Sequence, residues 1–484
     1  MADNKHEINR RTVLKAGLGV TAAAAAAGAI PAALGAVTDA GATPPPLRMP
    51  GSLPFPTRPV GVKTNEFPFD HIVIVMQENH SFDNYLGMLP LRGQPLADGF
   101  TFDESGKPTN STPLNGKHEV AFHQPSYAGS TDTGSQNWND SHRQINGGAM
   151  DGFAETGPGS MGYWDEPDLP FYYSLAKTFT LANRWFCSAP CQTYPNRRFL
   201  MAGTASGVIS TDINNIGTHY PAAGTIWDQL SKHGITWHNY FSDAPTTAIM
   251  LDTVVKHPLN LRHIGQFYLD AALGTLPAVS LVDCNMGAVV GEIDGVVQKV
   301  KIPTFSSVIG VVEEATSESE ENPQDVQLGE AFVARIVNAV MHGPAWKRTL
   351  LVWLYDEHGG YYDHVPPPAA IPPDAIAPML NAGDAPGGYD IYGPRVPAVV
   401  VSPYAKPHAV TNVVHDHTSI LATIEAQWNL PALTYRDANA ATLADFLDTT
   451  MNFAKPPKLV APANPAPGLK QVLAHGQSTP PPPV

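Results

Sequence analysis

Two runs of apolar residues, each followed closely by acidic side chains, constrain the fold of this chain more than any other feature. HIVIVM (71–76) precedes the tripeptide QEN, and LLVWLY (350–355) precedes DEH. Continuous apolar runs of this length are typical of strands buried on both faces in a parallel sheet. Because ligands bind at the carboxyl ends of such strands, the residues that follow the two runs are the first candidates for a functional site.

Further short apolar runs alternate with segments of helical periodicity. The predicted strands are His71–Met76, Thr178–Ala182, Thr236–Phe241, Val279–Val282, Leu350–Tyr355 and Val396–Ser402. Helical periodicity covers Asp325–Met341 and Thr418–Trp428. This alternation predicts an α/β fold with a central, mostly parallel β-sheet flanked by helices.

Proline content marks the two ends of the folded region. Residues 43–68 and 454–484 are rich in proline, which predicts an extended lead-in and a tail that lies loosely on the surface or is disordered. The interval 69–453 contains no long linker and no internal repeat. We therefore expect it to form one large catalytic domain.

The first 42 residues are typical of a secretory signal. Arg10 and Arg11 precede an apolar run rich in alanine and glycine that extends from Ala16 to Ala36, and this arrangement resembles the twin-arginine export signal. A membrane anchor is the alternative, but the run is weakly apolar and Pro31 interrupts it. We expect export through the twin-arginine machinery, no transmembrane anchor, and a secreted, periplasmic or cell-envelope location.

The charge balance excludes one class of partner. The chain has 29 lysines and arginines against 44 aspartates and glutamates, a formal net charge of −15. A protein that binds nucleic acid needs a basic surface, so no nucleic-acid partner is expected. With 43% hydrophobic and 15% charged residues, general disorder is excluded as well. The composition is that of an acidic globular protein, and we expect this protein to be an enzyme.

The residues that follow the two apolar runs suit a metal site. Glu78 and Asn79 supply a carboxylate and an amide oxygen, and Asp356 and Glu357 supply two carboxylates ahead of a Gly-Gly pair that lets the chain turn. The ordinary alternatives are a helix cap at Asn79 and a solvated turn at the acidic pair. Because all four residues directly follow predicted buried strands, their position favours the metal site.

Thr193 is the candidate nucleophile. It precedes Pro195, a residue suited to the first turn of a helix. A hydroxyl at a helix N-terminus faces the positive end of the helix dipole, which stabilises an alkoxide and bound phosphate oxygens. Taken alone, this threonine is more simply a capping residue.

Together these segments resemble the bacterial phosphoesterase family of phospholipases C and acid phosphatases. The resemblance rests on HIVIVMQENHSFDNYLG (71–87), on Thr193-x-Pro195-x-Arg197 and on YDEHGGYYDHVPPP (355–368), within a match that spans roughly 69–450. It implies an alkaline phosphatase/sulfatase-like core, a threonine nucleophile and a divalent metal ion of unknown identity. The metal-binding positions that it implies are Glu78, Asn79, Thr193, Asp356 and Glu357.

Five further side chains are candidates for the site. His142, in a polar loop, is the first candidate for a histidine that binds phosphate or protonates the leaving group, and His364 and His417 come next, although any of the 18 histidines can instead be structural. His364 and Arg197 are expected to bind substrate. The Arg197 guanidinium can pair with a phosphate group; the alternative is that it forms an ion pair at the protein surface. Asn322 stands where many relatives carry a histidine, so it can hydrogen-bond to substrate but cannot act as an acid.

The expected activity is hydrolysis of phosphoric esters by an exported enzyme. Oxygen ligands without cysteine indicate a hard cation. The predicted reaction is in-line attack by Thr193 on phosphorus, a phosphothreonine intermediate, and then attack by water. The motifs favour a phospholipase C-type phosphodiesterase acting on a phosphate ester or phospholipid. An acid phosphatase acting on monoesters is the alternative, while Thr193 argues against a sulfatase and the complete residue set argues against a non-catalytic binding protein.

Overall fold

Strands drawn from most of the length of the described chain assemble into one central sheet. A computed structural model describes residues 46–286 and 318–464, apart from 131, 323 and the side chain of 213; the predicted signal at 1–42, and the part of the predicted tail (454–484) from 465 onward, lie outside the described residues. The strands within these ranges are β1 (His71–Gln77), β2 (Ser111–Leu114), β3 (Lys117–Val120), β4 (Phe122–His123), β5 (Gly162–Tyr163), β6 (Thr180–Ala182), β7 (Trp237–Phe241), β8 (Leu261–His263), β9 (Val279–Val282), β10 (Thr349–Tyr355), β11 (Ala398–Val401) and β12 (Val410–Thr411).

The strand order of the central sheet, over the described ranges, is β12-β6-β11-β10-β1-β9-β7-β8. Neighbouring strands are parallel except at β11, which is antiparallel to both β10 and β6. β1 and β10 lie in register from His71 opposite Thr349 to Gln77 opposite Tyr355. The carboxyl ends of the parallel strands therefore meet at one edge, and the predicted mostly parallel sheet is confirmed.

Helices flank this sheet, as predicted. The described helices are α1 (Phe82–Leu86), α2 (Trp138–Ile145), α3 (Phe153–Thr156), α4 (Pro170–Thr178), α5 (Thr193–Ala202), α6 (Ile226–Lys232), α7 (Leu251–Lys256), α8 (Ile264–Leu273), α9 (Val326–His342), α10 (Thr418–Trp428) and α11 (Tyr435–Ala438). Helix α9 packs against β10 and α8, and α10 packs against α5 and α11. Single 3₁₀ turns cover Leu89–Leu91, Asn146–Gly148, Gly159–Met161, Ile213–Asn215, Thr246–Ile249, Pro258–Asn260, Trp346–Arg348 and Leu443–Phe446.

The predicted strands and helices are confirmed, with differences at their ends. Thr178 is expected to begin a strand but is the last residue of α4, so β6 begins two residues later. The strand expected over Val396–Ser402 is shorter, since Pro397 lacks the N–H group that a ladder position needs. Helix α9 begins one residue after Asp325, whose side chain instead caps it by accepting a hydrogen bond from the Gln327 amide at 2.9 Å.

The described part of the lead-in lies along the far end of α10 and the turn that follows it. The Thr64 amide donates to the Gln427 carbonyl at 2.8 Å, and the Gly51 amide donates to the Ala432 carbonyl at 2.7 Å. Near the C-terminal end of the described chain, the Val460 amide donates to Ser174 Oγ at 3.0 Å.

None of the helices within the described ranges combines the length and the apolar character that crossing a membrane requires.

Candidate active site

The residues that follow β1 and β10 lie side by side at the carboxyl edge of the sheet. Both strands run in register to their last residues, so Glu78 and Asp356 begin neighbouring loops. Asn79 Nδ2 donates to Glu357 Oε1 at 2.8 Å, which joins the two loops. All four side chains are buried. The structure therefore places four of the five residues predicted as metal ligands at one edge of the sheet.

A glycine turn fixes the position of Glu357. Gly359 has φ +63°, and a Cβ added to it would lie 2.0 Å from the Asn79 carbonyl oxygen. The Gly359 amide donates to Glu357 Oε2 at 2.7 Å. Since only glycine tolerates both the left-handed backbone and this close approach, the predicted turn after the acidic pair is confirmed.

Thr193 is the first residue of α5, as the Pro195 signal predicts. The side chain is buried, at 6% exposure, and none of the described residues forms a hydrogen bond with its hydroxyl. Arg197 follows one helical turn later, on the same side of α5. The helix therefore presents a hydroxyl at its N-terminus and a guanidinium one turn below.

Arg197 connects α5 to the acids at the sheet edge. Its side chain is completely buried, with Nε 2.8 Å from Asp356 Oδ2 and Nη2 3.3 Å from Glu78 Oε1. Nη1 donates to Thr246 Oγ1 at 2.8 Å and lies 4.0 Å from Asp283 Oδ1. The alternative of a surface ion pair is therefore wrong: Arg197 is a buried bridge between helix α5 and the acids. Contact with substrate phosphate stays a prediction.

Burial makes the ionised acids at this edge costly. It raises the pKa of Glu78 well above the usual value, an effect that Arg197 partly offsets and that Asp356 increases. Burial, together with the charge of Asp356, also raises the pKa of Glu357 well above the usual value. Among the described residues, Arg197 is the only arginine or lysine that pairs with these acids. One guanidinium does not neutralise them.

Two observations indicate that these residues fit a bound divalent cation. Asn79 Oδ1 is buried and forms no hydrogen bond with the described residues, which is costly unless a ligand satisfies it. The donors are all carboxylate, amide and hydroxyl oxygens, which are the ligands of hard cations. Those that would hold the cation are Glu78, Asn79, Thr193, Asp356 and Glu357.

Sequence reasoning missed two acids at this edge. Asp283 directly follows β9 and accepts hydrogen bonds at 2.7 Å from the Thr246 amide, from Thr246 Oγ1 and from Asn239 Nδ2. The strand-end rule that identified Glu78 applies equally to it. Glu321 lies close enough to Asp356 that burial and this neighbour raise its pKa. No strand precedes Glu321 directly, so no sequence pattern marks it.

Three predicted histidines lie in different surroundings. His142 lies on helix α2, so the predicted loop position is wrong. Its Nδ1 lies 2.7 Å from the Trp138 carbonyl oxygen, and burial lowers its pKa; no described contact joins it to the acids. His417 Nε2 lies 2.7 Å from the Asp356 carbonyl oxygen, and burial lowers its pKa to about 4. The third, His364, belongs to a second charged cluster, at the N-terminal end of β11.

This second cluster contains Asp83, Asp363, His364 and Arg395. Its three metal-capable side chains have ligand atoms within 4.8 Å of one another, an arrangement that the described residues form nowhere else. However, Arg395 Nη2 lies 3.2 Å from Asp83 Oδ1 and Arg395 Nε lies 2.9 Å from Asp363 Oδ1. Because the guanidinium already supplies the positive charge, the cluster is an internal ion-pair network. The substrate-binding role expected of His364 stays a prediction.

Asn322 lies beside the acids at the sheet edge rather than among them. Its Oδ1 accepts a hydrogen bond from the Tyr361 hydroxyl at 2.6 Å, and its neighbour Glu321 is the acid next to Asp356. This position is compatible with the expected contact to substrate, which stays a prediction.

Comparison with known proteins adds the family. The profile of the phosphoesterase family matches residues 69–431. Non-specific phospholipase C6 of Arabidopsis thaliana is 31% identical over 407 residues, which cover 78% of this chain and 72% of that protein. Phospholipase C A of Mycobacterium tuberculosis is 28% identical over 81% of this chain and 79% of that protein. A solved structure in the alkaline phosphatase superfamily, from Vibrio parahaemolyticus, aligns over 77% of this chain and 79% of that chain at 11% identity with a TM-score of 0.33.

Proposed function

The chain belongs to the phosphoesterase family, and on that premise we propose that it is a phospholipase C-type phosphodiesterase whose nucleophile is Thr193. The plant and bacterial relatives to which it is similar are named phospholipases C, which supports hydrolysis of a phospholipid on the glycerol side of the phosphate. The observation that carries the proposal is the link between helix and sheet edge. Thr193 begins the helix whose Arg197 reaches the acids after β1 and β10.

In the first step the Thr193 oxygen attacks phosphorus. The Oγ–P bond forms as the bond from phosphorus to the diacylglycerol oxygen breaks, and the phosphorylated headgroup stays on Thr193 as a phosphothreonine intermediate. The positive end of the α5 dipole stabilises negative charge on the phosphoryl oxygens. The threonine proton is released to solvent, and the departing diacylglycerol oxygen takes up a proton from solvent, so diacylglycerol leaves as the neutral alcohol.

In the second step the oxygen of a water molecule bonds to phosphorus as the Oγ–P bond breaks, so the phosphorylated headgroup leaves and the Thr193 oxygen takes up a proton again. His142 is suited to accept the proton of this water, since Nδ1 donates to the Trp138 carbonyl and Nε2 of the neutral ring keeps its lone pair. Its pKa, lowered by burial, favours proton acceptance over donation near neutral pH. Helix α2 is close to the nucleophile's helix, because Trp138 packs in one cluster with Cys191 and Phe199.

A divalent cation is part of the proposal. Glu78, Asn79, Asp356, Glu357 and the Thr193 hydroxyl would hold it, and when bound it would supply the positive charge that stabilises an alkoxide and polarises a phosphoryl oxygen. The unsatisfied Asn79 oxygen supports this assignment.

Export is the remaining part of the proposal and rests on residues 1–42 alone. A folded reporter fused to these residues is expected to leave the cytoplasm of a bacterium that has the twin-arginine machinery. Lysine substitution of both Arg10 and Arg11 conserves charge and should abolish export. Export of the doubly substituted fusion would contradict the twin-arginine route.

Hydrolysis of p-nitrophenyl phosphorylcholine and of p-nitrophenyl phosphate by the mature protein tests the proposed activity. Diester hydrolysis that is lost in Thr193→Ala and partly retained in Thr193→Ser supports a phosphodiesterase with this nucleophile. Hydrolysis of the monoester alone identifies an acid phosphatase. Activity that persists in Thr193→Ala refutes the nucleophile, and a protein that is folded and metal-loaded but inactive on both substrates is a binding protein.

A further inference from the structure

An exposed apolar segment interrupts the polar surface between β10 and β11. The six residues of Ala375–Leu380, AIAPML, carry no polar side chain, and only Pro378 among them is less than exposed. Ile376, Met379 and Leu380 are 49%, 40% and 37% exposed. Single exposed apolar residues are ordinary, but a continuous exposed run costs solubility and calls for a function.

The loop that carries this segment is anchored at its base. Asp374 Oδ2 accepts from Thr204 Oγ1 at 2.7 Å, and Asp374 Oδ1 accepts from the Ile376 amide at 2.8 Å. The Arg436 guanidinium donates to the carbonyls of both Ile371 and Tyr389, which holds the two limbs of the loop together. The apolar side chains are therefore presented to solvent by a fixed backbone.

The segment is also linked to the start of the nucleophile's helix through the chain that follows α5. The Met379 amide donates to the Gly207 carbonyl at 2.8 Å, so the segment rests on the chain that leaves α5. That chain folds back to the start of the helix, where Thr211 Oγ1 accepts from the Tyr194 amide at 3.2 Å. The apolar segment and Thr193 are thus connected through one short, hydrogen-bonded stretch of chain.

Charge indicates the kind of surface that the segment fits. The whole loop 371–388 contains two aspartates and no lysine or arginine, and the protein carries a net charge of −15. An acidic surface is repelled by anionic lipid, whereas apolar side chains insert into the interface of a neutral bilayer.

We propose that Ala375–Leu380 inserts into the surface of a zwitterionic phospholipid bilayer and places the nucleophile's side of the molecule against its lipid substrate. This inference rests on the proposed function, because it concerns delivery of a membrane substrate to that same site. Insertion removes Ile376, Met379 and Leu380 from water and needs no positive charge.

The test compares two triple serine variants of the mature protein. The test variant is Ile376→Ser with Met379→Ser and Leu380→Ser; the control removes three isolated apolar side chains, Leu96, Leu259 and Leu273, whose exposures are 68%, 72% and 70%. Binding to phosphatidylcholine vesicles is measured by flotation. Turnover is measured on those vesicles and on the soluble p-nitrophenyl phosphorylcholine.

The test variant is expected to bind vesicles about tenfold or more weakly, the scale of losing three inserted apolar side chains, with unchanged turnover of the soluble substrate. The control variant should behave like the parent. Unweakened flotation of the test variant overturns the proposal, as does tighter binding of the parent to phosphatidylglycerol vesicles. If the parent forms a dimer that the test variant does not, the segment is covered by a second copy and the proposal is wrong.

A direct readout covers the case of a poorly folded triple variant. Leu380→Trp adds one tryptophan at the segment to the eight native ones, and brominated phosphatidylcholine should quench the emission that it adds over the parent more than the emission added by Leu259→Trp. Equal quenching at the two positions contradicts insertion. Because flotation and quenching need no turnover, failure of the docking proposal is distinguishable from failure of the proposed activity, which only the soluble substrate reports.

Discussion

The guanidinium of Arg197 and the carboxylate of Asp356 form a completely buried ion pair, with 2.8 Å between Nε and Oδ2. Arg197 belongs to the helix that begins at Thr193, and Asp356 follows the central strand β10. The pair therefore sets the distance between the candidate nucleophile and the acids that are expected to hold the metal. Removal of this ion pair should therefore lower both the free energy of unfolding and the rate of hydrolysis.

Replacing Arg197 by methionine should destabilise the fold by about 3–5 kcal/mol, because the change keeps the volume but leaves buried carboxylates without their cation. Arg197→Lys keeps the charge and should lose less. The free energy of unfolding in urea measures both. Arg58→Met is the matched control, since the Arg58 side chain is 43% exposed and pairs with Glu66 at the surface; a loss there no smaller than at Arg197 would contradict the account.

Removal of divalent cations should abolish turnover and lower the melting temperature. A cation present at about 100 times its Kd stabilises the folded state by about 2.7 kcal/mol. Asn79→Ala should weaken cation binding, measured by calorimetry, because it deletes the unsatisfied oxygen at the site. Asp83→Asn tests the competing cluster, which Arg395 already neutralises. Cation binding lost in Asp83→Asn but intact in Asn79→Ala would place the metal in the second cluster.

The His364 ion pair predicts a pH dependence of stability on the alkaline side. Burial lowers the pKa of His364, but pairing with Asp83 and Asp98 outweighs it and raises the pKa to about 10. The raised pKa means that the pairing stabilises the fold fully below about pH 6.5, the unfolded value. This contribution is lost as the pH rises from there to about 10.

His364→Gln removes the charge and keeps a hydrogen-bonding side chain. The difference in unfolding free energy between parent and variant should be greatest at acid pH and shrink as the pH approaches 10. His342→Gln, at an exposed helix end, is the control and should show no such trend. A difference that grows with pH would contradict the ion pair.

Gly359→Ala should disturb the acidic turn beyond the cost of backbone conformation alone. Gly116 has a similar positive φ of +73° and open space within 4 Å of where a Cβ would lie, whereas at Gly359 the added Cβ would lie 2.0 Å from the Asn79 carbonyl oxygen. Gly116→Ala should therefore cost about 1 kcal/mol, and Gly359→Ala more, together with most of the diester turnover. Equal stability and activity of the two variants would show that the turn does not position Glu357.

The sheet and its site edge were predictable from local pattern. Apolar runs such as LLVWLY identify buried strands, and residues after them fall at the carboxyl edge by the rule for parallel sheets, which placed Glu78 and Asp356 correctly. The role of Arg197 was not predictable, because its partners come from three separate strand ends that only the folded chain brings together. His364 likewise pairs with residues from distant loops.

The most direct test of the account is capture of the covalent intermediate. The mature, metal-loaded protein is mixed with p-nitrophenyl phosphorylcholine, quenched in acid within the first turnover, digested and analysed by mass spectrometry. The account predicts phosphorylcholine on the peptide that contains Thr193, and neither adduct nor turnover in Thr193→Ala. Turnover by Thr193→Ala, or an adduct on a different residue, would contradict it.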